Sequence, residues 1–117
     1  MTIDHIGLRV KDLAAAVRLY TTALAPLGIV QHGDGGFGPA GGTATLWLYE
    51  DARGGGAHVA FTAPSREAVA AFHAAGIACG ATDHGAPGVR ADYSATYYAA
   101  FLVDGGGNNL EAVCHEA

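Results

Sequence analysis

Positive charge is what this chain has least of. Lys and Arg number six against eleven Asp and Glu in 117 residues, for a formal net charge of −5. Phosphate binding needs clustered basic side chains, and six scattered ones leave no footprint for DNA or RNA. Long hydrophobic runs are missing too, which excludes a membrane-spanning helix. Cysteine is nearly absent: Cys79 and Cys114 stand far apart with no C-x-x-C spacing, so they make neither a zinc motif nor a redox motif. The N-terminus meets polar and charged residues within four positions and shows no secretory apolar run. A cytoplasmic setting with both thiols reduced is the expectation.

What is there reads as one globular domain over residues 1–117, half of it apolar. A chain of this length buries roughly 65–70% of its unfolded surface, enough for a core without staples. Of eighteen glycines, twelve gather in "GDGGFGPAGG", "RGGG" and "DGGGNN". Alternating apolar segments resume after each cluster, so the clusters predict turns between strands.

The chain also repeats itself. Shifting "HIGLRVKDLAAAVRLY" by 53 positions lays it on "HVAFTAPSREAVAAFH" and matches His5 to His58, Leu8 to Phe61, Asp12 to Ser65 and Leu19 to Phe72. Each copy begins with a strand-like segment and then a helix start, with Asp12 and Ser65 as N-caps. Leu13, Val17, Tyr20 and Leu24 form one helical stripe, and Val69, Phe72 and Ala75 the other. Gly28 and Gly76 mark the expected helix ends. Strand-like pieces follow: "GIVQHG", a loop region around "GFGPAGG" and "TATLWLYE" in the first half, then "GIACG", a piece around Tyr93, "TYYAAFLV" and "NNLEAVCH" in the second. The order predicts an α+β fold of two paired βαβββ modules, about 1–52 and 53–117, forming an open, cup-shaped mixed sheet with helices on its outer face.

Side chains alternate along a strand, so parity sorts the faces. Ile6, Leu8 and Val10 oppose His5, Gly7 and Arg9; Val59 and Phe61 oppose His58 and Ala60. In the last strand Glu111 shares a face with Asn109, Val113 and His115. A carboxylate among apolar neighbours needs a counter-charge. Two imidazoles and one carboxylate from three strands make a facial set for a divalent transition metal: His5, His58 and Glu111. The competing reading makes them structural histidines and an edge-strand acid. Parity brings Trp47, Tyr49, Tyr97 and Phe101 to the same concave side, as a substrate groove beside Arg9 or as core filling. His84, Arg90 and Tyr97 reach the pocket as candidate catalytic groups. His32, His73 and His115 read as solvated.

With its paired modules, "DHIGLRV", "GAHVAFTA" and "DGGGNNLEAV", the whole chain resembles the vicinal oxygen chelate superfamily. That group includes glyoxalase I, extradiol dioxygenases, bleomycin and fosfomycin resistance proteins and methylmalonyl-CoA epimerase. Members commonly carry Pro where this chain has Gly105. The resemblance implies one divalent ion, Fe(II), Mn, Ni, Co or Zn, chelated by two neighbouring oxygens of a small substrate, in a homodimer. It also implies a choice of chemistries. Glyoxalase I resembles the pattern with a fourth ligand, a glutamate on the last strand of the first module, where alignment within this chain places Trp47. Indole cannot ligate through its protonated nitrogen, and Glu50 has the wrong parity, so glyoxalase I is disfavoured. A dioxygenase-like or lyase/isomerase-like enzyme is expected, although the tyrosine that dioxygenases carry ten residues before the Glu is Phe101 here. The alternative is a non-catalytic antibiotic- or metabolite-binding protein.

Overall fold

The computed structural model describes residues 2–117. Two copies of one unit follow each other. The first runs β1 (Ile6–Val10), α1 (Leu13–Leu24), a 3-10 turn (Ala25–Leu27), β2 (Ile29–Gln31), β3 (Gly36–Pro39) and β4 (Leu46–Glu50). The second runs β5 (His58–Thr62), α2 (Arg66–Ala78), β6 (Thr82–Val89), β7 (Tyr98–Val103) and β8 (Asn109–Cys114). Their sheets are ordered β1-β4-β3-β2 and β5-β8-β7-β6, with the first strand parallel to the last in each and the remaining pairs antiparallel. The expected paired βαβββ fold is present, its open mixed strands arranged as two four-stranded sheets.

Local chemistry explains the helices. Asp12 and Ser65 cap them as their residue types predict, accepting from Ala15 N at 3.0 Å and Ala68 N at 3.1 Å. α1 buries Leu19, Tyr20, Ala23 and Leu24, and α2 buries Val69 and Phe72, against the bulky sides of the sheets. On those sides Leu8, Val10, Leu46, Leu48, Leu102 and Leu110 are buried, as parity requires. The opposite sides are left to carry the site.

Four segments depart from the sequence reading, the first being the piece around Tyr93, which is a turn rather than a strand. "GIACG" is not a strand, because Gly76 to Ala78 form the last turn of α2, capped at Cys79. Gly76 is not a terminator; it lies under Leu102, whose Cδ1 would stand 2.2 Å from a Cβ there. The helix uses glycine for close packing on β7. Sheet-edge strand β6 falls instead in "TDHGAPGV", whose glycines and proline hide the alternation that a strand usually shows. "GFGP", expected within a loop, is β3, and its Phe37 is fully buried.

One residue ties the units together. Asn108 is fully buried, accepts from Gly56 N and Ala57 N, and donates to the Arg9 carbonyl at 2.7 Å and Asp104 Oδ2 at 2.9 Å. Asp104 also accepts the Tyr20 hydroxyl at 2.7 Å. Burial and the neighbouring carboxylate raise the Tyr20 hydroxyl far above its ordinary pKa. Gly55 must be glycine, since a Cβ there would fall 1.7 Å from Asn108 Oδ1.

Candidate metal and substrate site

In the second unit the parallel pairing of β5 with β8 sets Ala60 beside Glu111. Two residues back on β5, His58 reaches across the small alanine, and its Nε2 stands 3.0 Å from Glu111 Oε1. The Glu111 side chain is 4% exposed, the His58 side chain 49%. Burial of the carboxylate is met by this imidazole and by the Tyr97 hydroxyl, which donates to Glu111 Oε2. Being a donor to the carboxylate pushes the Tyr97 pKa up to about 12, with desolvation adding to the shift. Phe101 stacks on His58 with ring centroids 6.3 Å apart.

These groups wall an open cavity of about 690 Å³, completed by His84, Tyr93 and Asn109. The sequence reading anticipated His58, His84, Tyr97, Phe101 and Glu111 here. It did not single out Tyr93, which comes from a turn without periodicity. Asn109 was on the right face by parity but drew no attention as an amide next to the acid.

In the first unit the same face is built differently. Gly7 pairs with Trp47 and Arg9 with Tyr49. Trp47 and Tyr49 are exposed (41% and 49%), lying across Gly36 and Gly7 on neighbouring strands, so they do not fill a core. The cavity lined by Tyr97 and Phe101 does not include them: Phe101 is on β7 of the other sheet and Tyr97 just precedes that strand. Trp47 occupies the place of Glu111: the repeat shift carries Gly7 to Ala60, and the partners of those residues are Trp47 and Glu111. Glu50 is committed elsewhere, its Oε1 accepting from Leu13 N at 2.9 Å at the start of α1.

His5 sits just before β1 with its Nδ1 2.6 Å from Asp4 Oδ1, and its Nε2 has no hydrogen-bond partner among the described residues. Its side chain is 57% exposed. The three expected metal ligands are not brought together in one chain: among the described residues no three His, Cys, Asp or Glu converge on a common point. His58 and Glu111 stand together, and His5 is on the other sheet's side. Of the remaining imidazoles, His32 bonds the Pro39 carbonyl, and His73 bonds Asp83, so neither is simply solvated. That hydrogen bond lowers the Asp83 pKa.

The glyoxalase/bleomycin resistance protein/dioxygenase superfamily model matches residues 2–112, nearly the whole chain. The chain belongs to that superfamily. Among solved structures, a glyoxalase/bleomycin resistance protein from Albidiferax ferrireducens T118 is similar at 30% identity and TM-score 0.77, over 95% of this chain and 96% of that one. A glyoxalase/bleomycin resistance protein/dioxygenase family enzyme from Burkholderia phytofirmans PsJN matches at 17% identity and TM-score 0.72, covering 97% and 98% of the two chains. Lactoylglutathione lyase from Agrobacterium tumefaciens matches at 18% and 0.66, covering 97% and 92%. The last two show the fold alone. No curated protein matches. As a superfamily member the chain has the paired βαβββ architecture, and no helix of the described residues is long and apolar enough to cross a membrane.

Proposed function

We propose that this superfamily member is a divalent-metal enzyme whose substrate is a small molecule with two adjacent oxygens, held by His58 and Glu111 of one copy and His5 of a second. The His58–Glu111 pair at 3.0 Å, set in the wall of the cavity, carries the reading. Two ligands of one ion stand about this far apart, and a nearly buried carboxylate is the donor such an ion compensates. Asp4 on His5 Nδ1 supports it as well, since ligating imidazoles commonly give their other nitrogen to a carboxylate. Because His5 lies on the other sheet, a homodimer that sets the small-residue face of one unit against that of its copy's other unit completes the set.

Bound there, Fe(II), Mn, Ni, Co or Zn would supply a Lewis acid that polarises the two substrate oxygens. The chain's own groups do the rest. Tyr97 holds the acid's second oxygen and keeps its proton at neutral pH. Phe101 and Tyr93 give the substrate an apolar wall. Trp47 stands on β4 at the place matching Glu111 and Glu50 is bonded to Leu13 N, so the four-ligand chemistry of glyoxalase I is not proposed; dioxygenase-like or lyase/isomerase-like chemistry is.

Metal content of tag-free protein, measured with sedimentation, tests both parts. About one ion per chain in a dimer is expected, lost in Glu111→Ala and His5→Ala. A monomer without metal after reconstitution overturns the proposal, and stoichiometric binding of an apolar ligand that survives chelation replaces it with sequestration on Trp47 and Tyr49.

A further inference from the structure

Beside Phe101, a residue of the cavity wall, a guanidinium is fixed in a way the chelate does not require. Arg90 Nη1 donates to the Gly88 carbonyl and Nη2 to the Ala86 carbonyl, both at 2.8 Å. Its central carbon stands 5.3 Å from the centre of the Phe101 ring, which itself lines the cavity. The backbone around it is cleared for the purpose. A Cβ on Gly85 would lie 3.1 Å from Nη2 and 2.8 Å from Phe101 Cδ1, and one on Gly88 would lie 3.3 Å from Nη1. A Cβ at Gly85 would press on Phe101 first and crowd the arginine as well.

Arginine offers five N–H donors, and two are committed here. No carboxylate is within 4.0 Å of the guanidinium among the described residues. A half-buried, pre-positioned and uncompensated cation, in a chain with only six basic residues, is built to receive an anion. The same cavity contains the buried side-chain oxygen without a hydrogen-bond partner, Asn109 Oδ1. It asks for a ligand hydroxyl or N–H.

We propose that Arg90 is the anion subsite of this cavity, taking a carboxylate or phosphate of the ligand while Phe101 carries its apolar body and Asn109 accepts from a hydroxyl. Register fixes the span. Glu111, Phe101 and Gly85 are paired across three adjacent strands. At ~4.8 Å per strand the acid and the arginine end of the row are ~10 Å apart. One six-membered ring with an anion at one end and two adjacent oxygens at the other fits that distance with its contacts. The far end rests on the chelate reading above; the Arg90 end does not.

Four probes separate the ends by NMR titration and calorimetry of the metal-reconstituted protein: catechol, 3,4-dihydroxybenzoate, benzoate and phenyl phosphate. Wild type is expected to bind 3,4-dihydroxybenzoate about tenfold or more tightly than catechol, the range of a charge-assisted arginine pair. Arg90→Leu should erase that preference and leave catechol binding unchanged, and Arg90→Lys should restore part of it. If Arg90 merely staples the β6–β7 turn, the Leu variant weakens both ligands alike, and the proposal is overturned. It is also overturned if neither benzoate nor phenyl phosphate shifts resonances of Arg90 and Phe101; their relative affinities otherwise name the anion. Should the chelate reading alone fail, catechol does not bind, yet benzoate or phenyl phosphate still does and Arg90→Leu abolishes it.

Discussion

The two units share a plan, down to the register of their parallel strand pairs, and differ in what their open faces carry. In the second, Glu111 faces His58 and Tyr97 within a cavity. In the first, Trp47 stands at the equivalent place with Tyr49 beside it, both exposed. Register depends on backbone and core packing, which a change on the outward face leaves alone, so one copy can exchange an acid for an indole without disturbing the sheet. The duplication therefore yields two unlike faces.

The comparison breaks most severely at the joint. Asn108→Ala removes four hydrogen bonds, one of them to the Arg9 carbonyl across the units, leaving Gly56 N, Ala57 N and that carbonyl unpaired. A loss of about 3–5 kcal/mol is expected in chemical denaturation, enough to unfold much of the protein at 37 °C. Glu111→Gln comes next: it keeps the shape and removes the charge, and metal affinity measured by calorimetry should fall by about a hundredfold or more, with the fold retained by circular dichroism. Trp47→Glu sharpens the comparison by giving the first unit the carboxylate of the second. As the indole is exposed, stability should change by less than about 0.5 kcal/mol, while affinity for Ni or Zn rises about tenfold. An unchanged affinity would show that the two faces do not meet across a dimer.

A pH effect probes the joint more gently. Tyr20 has its folded pKa raised above the ordinary 10.0 by burial and Asp104. A raised pKa means the contribution of the protonated hydroxyl is complete below pH 10 and is lost as pH climbs above it. Wild type should lose stability above pH 10 more steeply than Tyr20→Phe, which gives up about 1 kcal/mol at neutral pH instead. The smallest effect belongs to Glu50→Gln, where weakening the bond to Leu13 N should cost about 0.5 kcal/mol in thermal melts.

Much of the fold was legible because it rests on local rules. Asp12 and Ser65 cap helices wherever their neighbours permit, and alternation in β1, β4, β5 and β8 separates core from open face without knowledge of the partner strand. The failures lie where tertiary contact replaces pattern. Gly76 ends no helix because Leu102 packs on it, and β6 shows no alternation because it is an edge strand that gives its room to Arg90. Site membership was legible for His58 and Glu111, each on a predicted strand with known parity. Tyr93 was not, for a turn has no period to read.

By itself the sequence determined the duplication, the two helices, the parity of His58 and Glu111, and the presence of Trp47 where a second acid would stand. These are properties of spacing, and spacing is written along the chain. Only the tertiary structure decided that His5 is kept apart from His58 and Glu111 within one copy, that Tyr97 holds the acid, and that Arg90 lies over Phe101 with no carboxylate among the described residues to meet it. Each of those depends on which strand neighbours which and how closely two backbones approach, and glycines and pairings distant in sequence settle that.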